Sequence, residues 1–171
     1  MNKVTPRIFL IGPSGAGKTT VGHELAKKLN RSFYDTDQYI TQKTGVTISW
    51  IFDIEGEEGF RKREVKALGE LVNLSNVVVA TGGGTIQSQA SRKLLQERGL
   101  VIYLKTRLDQ QEQRIHEKEH RPLLQVSDLP AQLSTLAERR TPLYEQVADK
   151  IFVTDDKKVY SVVREIIDYL K

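Results

Sequence analysis

Residues 8–20 read IFLIGPSGAGKTT, and the organisation of the whole chain follows from them. A short apolar run, typical of a buried strand, leads into Gly12 to Thr19, which fits the phosphate-loop pattern G-x-x-x-x-G-K-[ST]. Apolar residues then recur at helical spacing through residues 21–29. A strand, a glycine loop and a helix in this order predict a site for a nucleoside triphosphate.

The backbone of such a loop binds the phosphates, and two side chains assist it. Glycines let successive N–H groups turn toward an anion, and the helix N-terminus adds partial positive charge. Lys18 is expected to neutralise the β- and γ-phosphates, and the hydroxyl of Thr19 is expected to bind Mg²⁺. A glycine-rich turn with an exposed lysine is the simpler alternative, but it leaves the flanking strand and helix unexplained.

Composition limits the classes of protein to consider. A chain of 171 residues, with 39% hydrophobic and 28% charged residues, suits one globular domain. It has no cysteine and no apolar run near the ~20 residues of a membrane span, so we expect a cytoplasmic protein that does not contact a membrane. The formal charge of +4 and the pI near 9.2 fit nucleic acid or small anionic ligands. No nucleic-acid motif accompanies the charge, which favours small anions.

Strand-like runs alternate with helical patterns along the chain, and this alternation predicts a parallel sheet covered by helices on both faces. The runs are Arg7–Ile11, Ser32–Thr36, Val77–Thr81, Leu100–Leu104 and Lys150–Thr154. The second run leads into Asp35-Thr36-Asp37. Ligands of parallel sheets collect beyond the carboxyl ends of the strands, so both carboxylates are expected to open toward the phosphate loop. The alternative is that one of them merely caps a helix beginning near Gln38.

Two further segments carry candidate groups. The insertion at about residues 38–72 contains Arg61 and Glu64 at i, i+3, and their charges alone favour a surface ion pair worth only tenths of a kcal/mol. The third run leads into Gly82-Gly83-Gly84. This triple glycine is either a sharp turn or a backbone surface that a ligand approaches closely.

The second half of the chain supplies arginines. Residues 109–128 are very polar, and we interpret them as a mobile lid that brings arginines to the transferring phosphate, with a solvated charged helix as the alternative. In the helix from about Leu129, Arg140 falls on the apolar stripe. Pro142 is expected to end that helix and to leave Arg140 at its terminus, facing inward.

Four classes of nucleotide-binding protein are compatible with the phosphate loop: a small-molecule kinase, a nucleoside monophosphate kinase, a switch GTPase and a nucleic-acid-dependent ATPase. Residues 53–56 match the GTPase pattern D-x-x-G, and residues 106–109 loosely resemble [NT]-K-x-D with Arg107 in place of lysine. A switch GTPase has no evident use for the triple glycine, and the ATPase class would need acidic motifs that are missing. Paired carboxylates with arginines suit a substrate bearing hydroxyls and a carboxylate better than they suit a nucleotide.

Six motifs follow one another along nearly the whole chain: the phosphate loop Gly12–Thr19, D-x-D at Asp35 and Asp37, F-R-x-x-E at Phe60 to Glu64, the triple glycine Gly82–Gly84, R-P-L-L at Arg121 to Leu124 and R-R-x-P-L-Y at Arg139 to Tyr144. Taken together, these motifs resemble those of the shikimate kinase family. The resemblance implies a three-layer α/β P-loop kinase fold with a five-stranded parallel sheet in the order 2-3-1-4-5. It also implies ATP-dependent phosphorylation of the shikimate 3-hydroxyl, a step toward chorismate and the aromatic amino acids.

The resemblance assigns roles to individual residues. Shikimate would be bound by Asp37, Arg61, the Gly83 backbone and Arg140. ATP would be bound by Gly15, Ala16, Gly17, Lys18, Thr19, Thr20, Arg114 and Arg121, with Arg114 against the adenine and Arg121 reaching over from the lid. Mg²⁺ would be bound by Thr19 and, through water, by Asp35. The expected catalytic residues are Lys18, Asp37 and Arg121. Shikimate and ATP are the expected partners of a monomeric, single-domain enzyme of residues 1–171.

Overall fold

The computed structural model describes residues 5–117 and 128–171, and its sheet has the parallel order β2-β3-β1-β4-β5. The strands are β1 (Arg7–Ile11), β2 (Ser32–Asp35), β3 (Val77–Ala80), β4 (Leu100–Lys105) and β5 (Lys150–Val153). Strand β1, which precedes the phosphate loop, lies at the centre and pairs with β3 on one side and β4 on the other. The predicted fold class and strand order are confirmed.

Helices cover both faces of the sheet. They are α1 (Lys18–Leu29), α2 (Thr36–Thr44), α3 (Ile48–Leu71), α4 (Gln89–Arg98), α5 (Leu108–His116), α6 (Leu129–Val147) and α7 (Val159–Leu170). A short 3₁₀ turn at Thr85–Gln87 precedes α4. Within the described residues, each helix is too short or too polar to cross a membrane.

Strand β1 shows why the core has two layers. Its side chains alternate between the faces of the sheet, as the period of a strand requires. Ile8 and Leu10 pack in the cluster that contains residues of α1 and α7. Phe9 and Ile11 pack in the opposite cluster, with residues of α3, α4 and α6. Burial on both faces explains why this strand reads as a continuous apolar run rather than an alternating one.

The insertion has a small core of its own and a kinked helix. Ile40, Ile51, Phe60 and Ala67 form a separate buried cluster between α2 and α3. Helix α3 is interrupted at Gly56, whose φ of 72° and ψ of −179° are not helical. The D-x-x-G segment at residues 53–56 therefore lies at this kink, inside a helix, and not after a strand of the sheet.

Helix α6 corrects one expectation from the sequence. It runs from Leu129 to Val147 with Pro142 inside it, so Pro142 does not end the helix. A proline in a helix interior costs about 3 kcal/mol because it removes one hydrogen bond and crowds a carbonyl. Here Pro142 is exposed, whereas Arg140, Tyr144 and Val147 are buried on one side of the helix. Packing of that side outweighs the local cost, and Arg140 lies within the helix rather than at its end.

Candidate active site

The parallel sheet brings three loops to one edge, because β1, β2 and β3 all end there. The phosphate loop follows β1, the segment with Asp35 and Asp37 follows β2, and the triple glycine follows β3. The candidate site is built from these loops together with side chains of α3, α5 and α6.

The phosphate loop leads directly into the first turn of α1. In this structure the Nζ of Lys18 donates to the carbonyl oxygens of Gly12 and Pro13, at 2.6 and 2.8 Å. The lysine is buried, so its charge lies against the loop and not in solvent. Of the other predicted ATP contacts in this loop, Ala16 is buried and Thr20 is exposed.

Asp35 has two structural tasks at once. Its Oδ1 accepts from the backbone N–H groups of Asp37 and Gln38, at 2.9 and 3.2 Å, and caps α2. Its Oδ2 accepts from the hydroxyl of Thr19 at 2.6 Å. Asp35 therefore caps a helix, as the alternative from the sequence proposed, although α2 begins at Thr36 and Asp35 also contacts Thr19. The second contact also joins a hydroxyl and a carboxylate oxygen, which are the hard oxygen donors that Mg²⁺ prefers.

The triple glycine is in close contact with charged side chains. A Cβ atom added to Gly82 would lie 2.7 Å from Glu64 Oε2 and 3.1 Å from Asp37 Oδ1. One added to Gly83 would lie 3.2 Å from Arg140 Nη1 and 3.4 Å from the backbone nitrogen of Ser14. The loop therefore has side chains from α2, α3 and α6 against it and also touches the phosphate loop.

Gly84 makes the closest of these contacts with a charged side chain, that of Arg61. A Cβ atom at this position would collide with the guanidinium of Arg61. Arg61 in turn pairs with Glu64 at 3.0 Å and with Glu57 at 3.3 Å. The glycines thus admit charged groups that any larger residue would displace, and the reading of the triple glycine as a plain sharp turn does not explain these contacts.

The ion pair between Arg61 and Glu64 is not the surface pair that the charge pattern favoured. Glu64 is only 2% exposed, because its side chain lies behind Gly82. Burial raises the pKa of the Glu64 carboxyl, and the attraction of Arg61 opposes this effect. The pair therefore holds the Arg61 guanidinium from the buried side.

Arg140 provides a second cation near the same loop, and this one is buried. It is 6% exposed. Burial lowers the pKa of its guanidinium, and repulsion by Arg61 acts in the same direction. Within residues 5–117 and 128–171, the buried Nε atoms of both arginines have no hydrogen-bond acceptor. Two cations that repel one another and retain unused donors are a suitable environment for a bound carboxylate.

Arg114 lies on the other side of the phosphate loop. Its Nη1 donates to the carbonyl oxygen of Gly15 at 2.9 Å, and its Nη2 donates to the carbonyl oxygen of Thr154 at 3.2 Å. The side chain therefore bridges the phosphate loop and the segment after β5. Arg121, the predicted lid residue, lies outside the described residues.

Comparisons with known proteins give the family. A family model described as shikimate kinase matches residues 14–171. The chain belongs to the shikimate kinase family. A shikimate kinase of Shewanella amazonensis is 50% identical over 163 residues, which are 95% of each chain. One of Legionella pneumophila is 52% identical over 163 residues, which are 95% of this chain and 93% of that one.

A solved structure gives the same family. Shikimate kinase from Acinetobacter baumannii, in complex with shikimate, has a TM-score of 0.95 at 44% identity and covers 98% of this chain, with 94% of its own chain matched. This family catalyses the ATP-dependent phosphorylation of shikimate, so the predicted enzyme class and activity are confirmed.

Two residues of the shikimate kinase motifs received no role from sequence reasoning. Glu64 was visible only as a surface partner of Arg61, because nothing local indicates that Gly82 covers it. Tyr144 ends the R-R-x-P-L-Y motif, and its hydroxyl donates to the carbonyl oxygen of Gly83 at 2.6 Å. The spacing of Arg140 and Tyr144, at i, i+4 on one helix, is the signal that could have placed both at the same loop.

Proposed function

We propose that this chain transfers the γ-phosphoryl group of ATP to the 3-hydroxyl of shikimate, on the route to chorismate. The observation that carries the proposal is the triple glycine, which lies between the partly buried Arg61, the buried Arg140 and the phosphate loop. It supports a substrate that has a carboxylate at one end and a hydroxyl near the phosphates at the other.

Arg61 and Arg140 are the proposed carboxylate clamp. Planar guanidinium groups form bidentate, charge-assisted hydrogen bonds to a carboxylate, and a bound anion would relieve the repulsion between the two cations. The Gly83 backbone would close the pocket beside Arg140. Asp37, whose Oδ1 is directed toward Gly82, would orient the reacting hydroxyl and accept its proton as the bond to phosphorus forms.

Charge neutralisation on the ATP side is assigned to the phosphate loop. Residues 15–20 would bind the phosphates through backbone N–H groups, and Lys18 would exchange its contacts with loop carbonyls for the β- and γ-phosphates. Arg114 would lie against the adenine. Arg121 would neutralise charge on the transferring group from the lid.

Thr19 and Asp35 fit a magnesium ion by the chemistry of their donors. Mg²⁺ is commonly held by one or two protein oxygens, the substrate phosphates and water. When bound, it supplies positive charge for the β- and γ-phosphate oxygens. Asp35 would keep its cap on α2 through Oδ1, and the oxygen that accepts from Thr19, Oδ2, would be left to bind the ion through water.

The division into a core, an insertion at about residues 38–72 and a lid at about residues 109–128 remains a prediction. The monomeric state and the cytoplasmic location also remain predictions from the sequence.

The deciding experiment is a coupled assay of ADP release with shikimate, quinate, gluconate and nucleoside monophosphates in parallel. We expect turnover with shikimate and loss of turnover in Lys18→Met, whose circular dichroism should match that of the wild type. Activity confined to a nucleoside monophosphate would contradict the proposal.

The same assay tests the clamp. Arg140→Ala should raise the KM for shikimate strongly, since breaking a buried charge pair costs about 2–5 kcal/mol. Arg139→Ala is the matched control, because Arg139 is the exposed neighbour on the same helix. Equal KM values for the two variants would rule out a specific role for Arg140.

A further inference from the structure

We propose that Tyr144 is a positioning residue for the carboxylate end of the substrate. Its hydroxyl fixes the Gly83 carbonyl and, through it, the distance between the triple glycine and Arg140. The inference rests on the proposed function and adds a residue that acts through the clamp without being part of it.

The first observation is the hydrogen bond itself. Tyr144 is 2% exposed, and its hydroxyl donates to the carbonyl oxygen of Gly83 at 2.6 Å across 61 positions of sequence. Burial raises the pKa of this phenol, so it keeps its proton and remains a donor at neutral and moderately alkaline pH. The bond therefore persists over the pH range in which a kinase of this kind would be assayed.

The second observation is that packing also fixes the ring of Tyr144. Its ring stacks on Tyr103 of β4, with ring centroids 5.0 Å apart and an interplanar angle of 27°. It also packs in the buried cluster beneath α6. A ring fixed in this way can hold a flexible glycine loop in one place, because the loop has no side chains of its own to pack.

The third observation connects the tyrosine to the clamp. Tyr144 and Arg140 are one helical turn apart on α6, and the phenol and the guanidinium interact electrostatically. The same guanidinium lies 3.2 Å from the Cβ position of Gly83. Tyr144 thus hydrogen-bonds to the triple glycine and interacts electrostatically with Arg140, the two parts of the site that would face the carboxylate.

The mechanical consequence follows from the planarity of the peptide. Fixing the Gly83 carbonyl also fixes the next N–H, because a trans peptide holds the two groups on opposite sides. Without the hydroxyl, a triple glycine would sample many backbone conformations, and substrate binding would have to select one of them. The loss should therefore appear in the affinity for shikimate, before the chemical step.

The test compares Tyr144→Phe with Tyr103→Phe, its stacking partner, in steady-state kinetics. Both changes delete one buried hydroxyl and retain the ring. For Tyr144→Phe we expect the KM for shikimate to rise about 2- to 13-fold, the range for the net loss of one hydrogen bond. Its kcat and its KM for ATP should stay within about 3-fold of the wild type, and Tyr103→Phe should leave all three near wild type.

A double-mutant cycle with Arg140→Ala distinguishes positioning from general stability. If Tyr144 acts through the clamp, its effect on the KM for shikimate should largely disappear when Arg140 is already alanine. Additive effects would overturn the proposal, as would an unchanged KM, or a Tyr144→Phe protein that fails to fold while Tyr103→Phe folds. Wild-type enzyme that is inactive on shikimate would instead refute the proposed function and, with it, the substrate named here.

Discussion

Asp35 and Asp37 are two positions apart at the end of β2, but their surroundings differ. Asp35 accepts hydrogen bonds from the Thr19 hydroxyl and from two backbone N–H groups. Asp37 is directed toward the triple glycine, where a Cβ atom on Gly82 would lie 3.1 Å from its Oδ1. One carboxylate thus belongs to the phosphate side of the site, and the other belongs to the substrate side.

This difference predicts different kinetics for two matched substitutions. Asp37→Asn keeps the size of the side chain but cannot take a proton, so kcat should fall by at least ~10²-fold, the lower range for general-base assistance. Asp35→Asn should retain the cap on α2, since asparagine caps helices as well as aspartate does. Its lost activity should recover in part at high Mg²⁺. Measuring kcat against Mg²⁺ concentration for both variants tests this division, which fails if the two respond alike.

Glu64 gives the stability of the protein a dependence on pH. Burial raises its pKa above the ordinary value of 4.5. The folded state then binds more protons than the unfolded state. The stabilisation that protonated Glu64 contributes is fully present below the pKa of this group in the unfolded state. It is lost as pH rises through the pKa of the group in the folded state.

We therefore expect the free energy of unfolding of the wild type, relative to Glu64→Gln, to fall as pH rises above 4.5. Urea unfolding of both proteins between pH 4.5 and about 7.5 measures this difference. Glu57→Gln, which removes the exposed partner of Arg61, is the matched control for loss of an acidic neighbour. A difference that stays constant or grows with pH would contradict the assignment.

At the scale of the element, α3 offers two glycines that differ only in backbone conformation. A Cβ atom on Gly56 or on Gly69 would meet nothing within 4 Å. Gly56 has φ 72° and ψ −179°, a region that is essentially restricted to glycine, whereas Gly69 is helical.

The two alanine substitutions should consequently change stability in opposite directions. Gly56→Ala should cost about 1–3 kcal/mol through backbone strain. Gly69→Ala should contribute about 0.5–1 kcal/mol, because alanine loses less entropy in a helix than glycine does. Chemical denaturation of both variants measures the signs. If Gly56→Ala stabilised the protein as Gly69→Ala does, the kink would not be a feature of the protein in solution.

At the scale of the whole molecule, the insertion carries a natural reporter. Trp50 is the only tryptophan, is 46% exposed, and lies in α3 before the kink at Gly56. If the insertion closes over shikimate, its emission should shift at saturating ligand, as segments over kinase sites often move on binding. The Trp50→Phe variant, measured in the same way, gives the background emission without tryptophan. An unchanged spectrum, with binding verified by calorimetry, would reject the closure.

The strands of the sheet could be predicted well because each one is marked by an apolar run in the local sequence. Strand β1 was predicted at its observed bounds, and the other strands end within one residue of their predicted ends. The inward orientation of Arg140 could be predicted from the apolar stripe, but the burial of Glu64 could not. Whether Glu64 is exposed depends on Gly82, and the fate of the helix at Pro142 depends on packing of Tyr144 against a distant strand. These contacts exist only after the chain has folded.

Because β1 lies at the centre of the sheet, it can pair fully only after later parts of the chain have been synthesised. Its residues pair with Val77–Ala80 and with Leu100–Tyr103, which are synthesised much later. A fragment of residues 1–76 should therefore neither form the sheet nor bind ATP, and circular dichroism with a nucleotide titration would detect either. At about 5–20 residues per second, a ribosome needs roughly 5–20 seconds to proceed from the first strand to the end of the fourth. The ATP loop is complete in sequence by Thr19, but its strand has both neighbours only after Lys105 has been made.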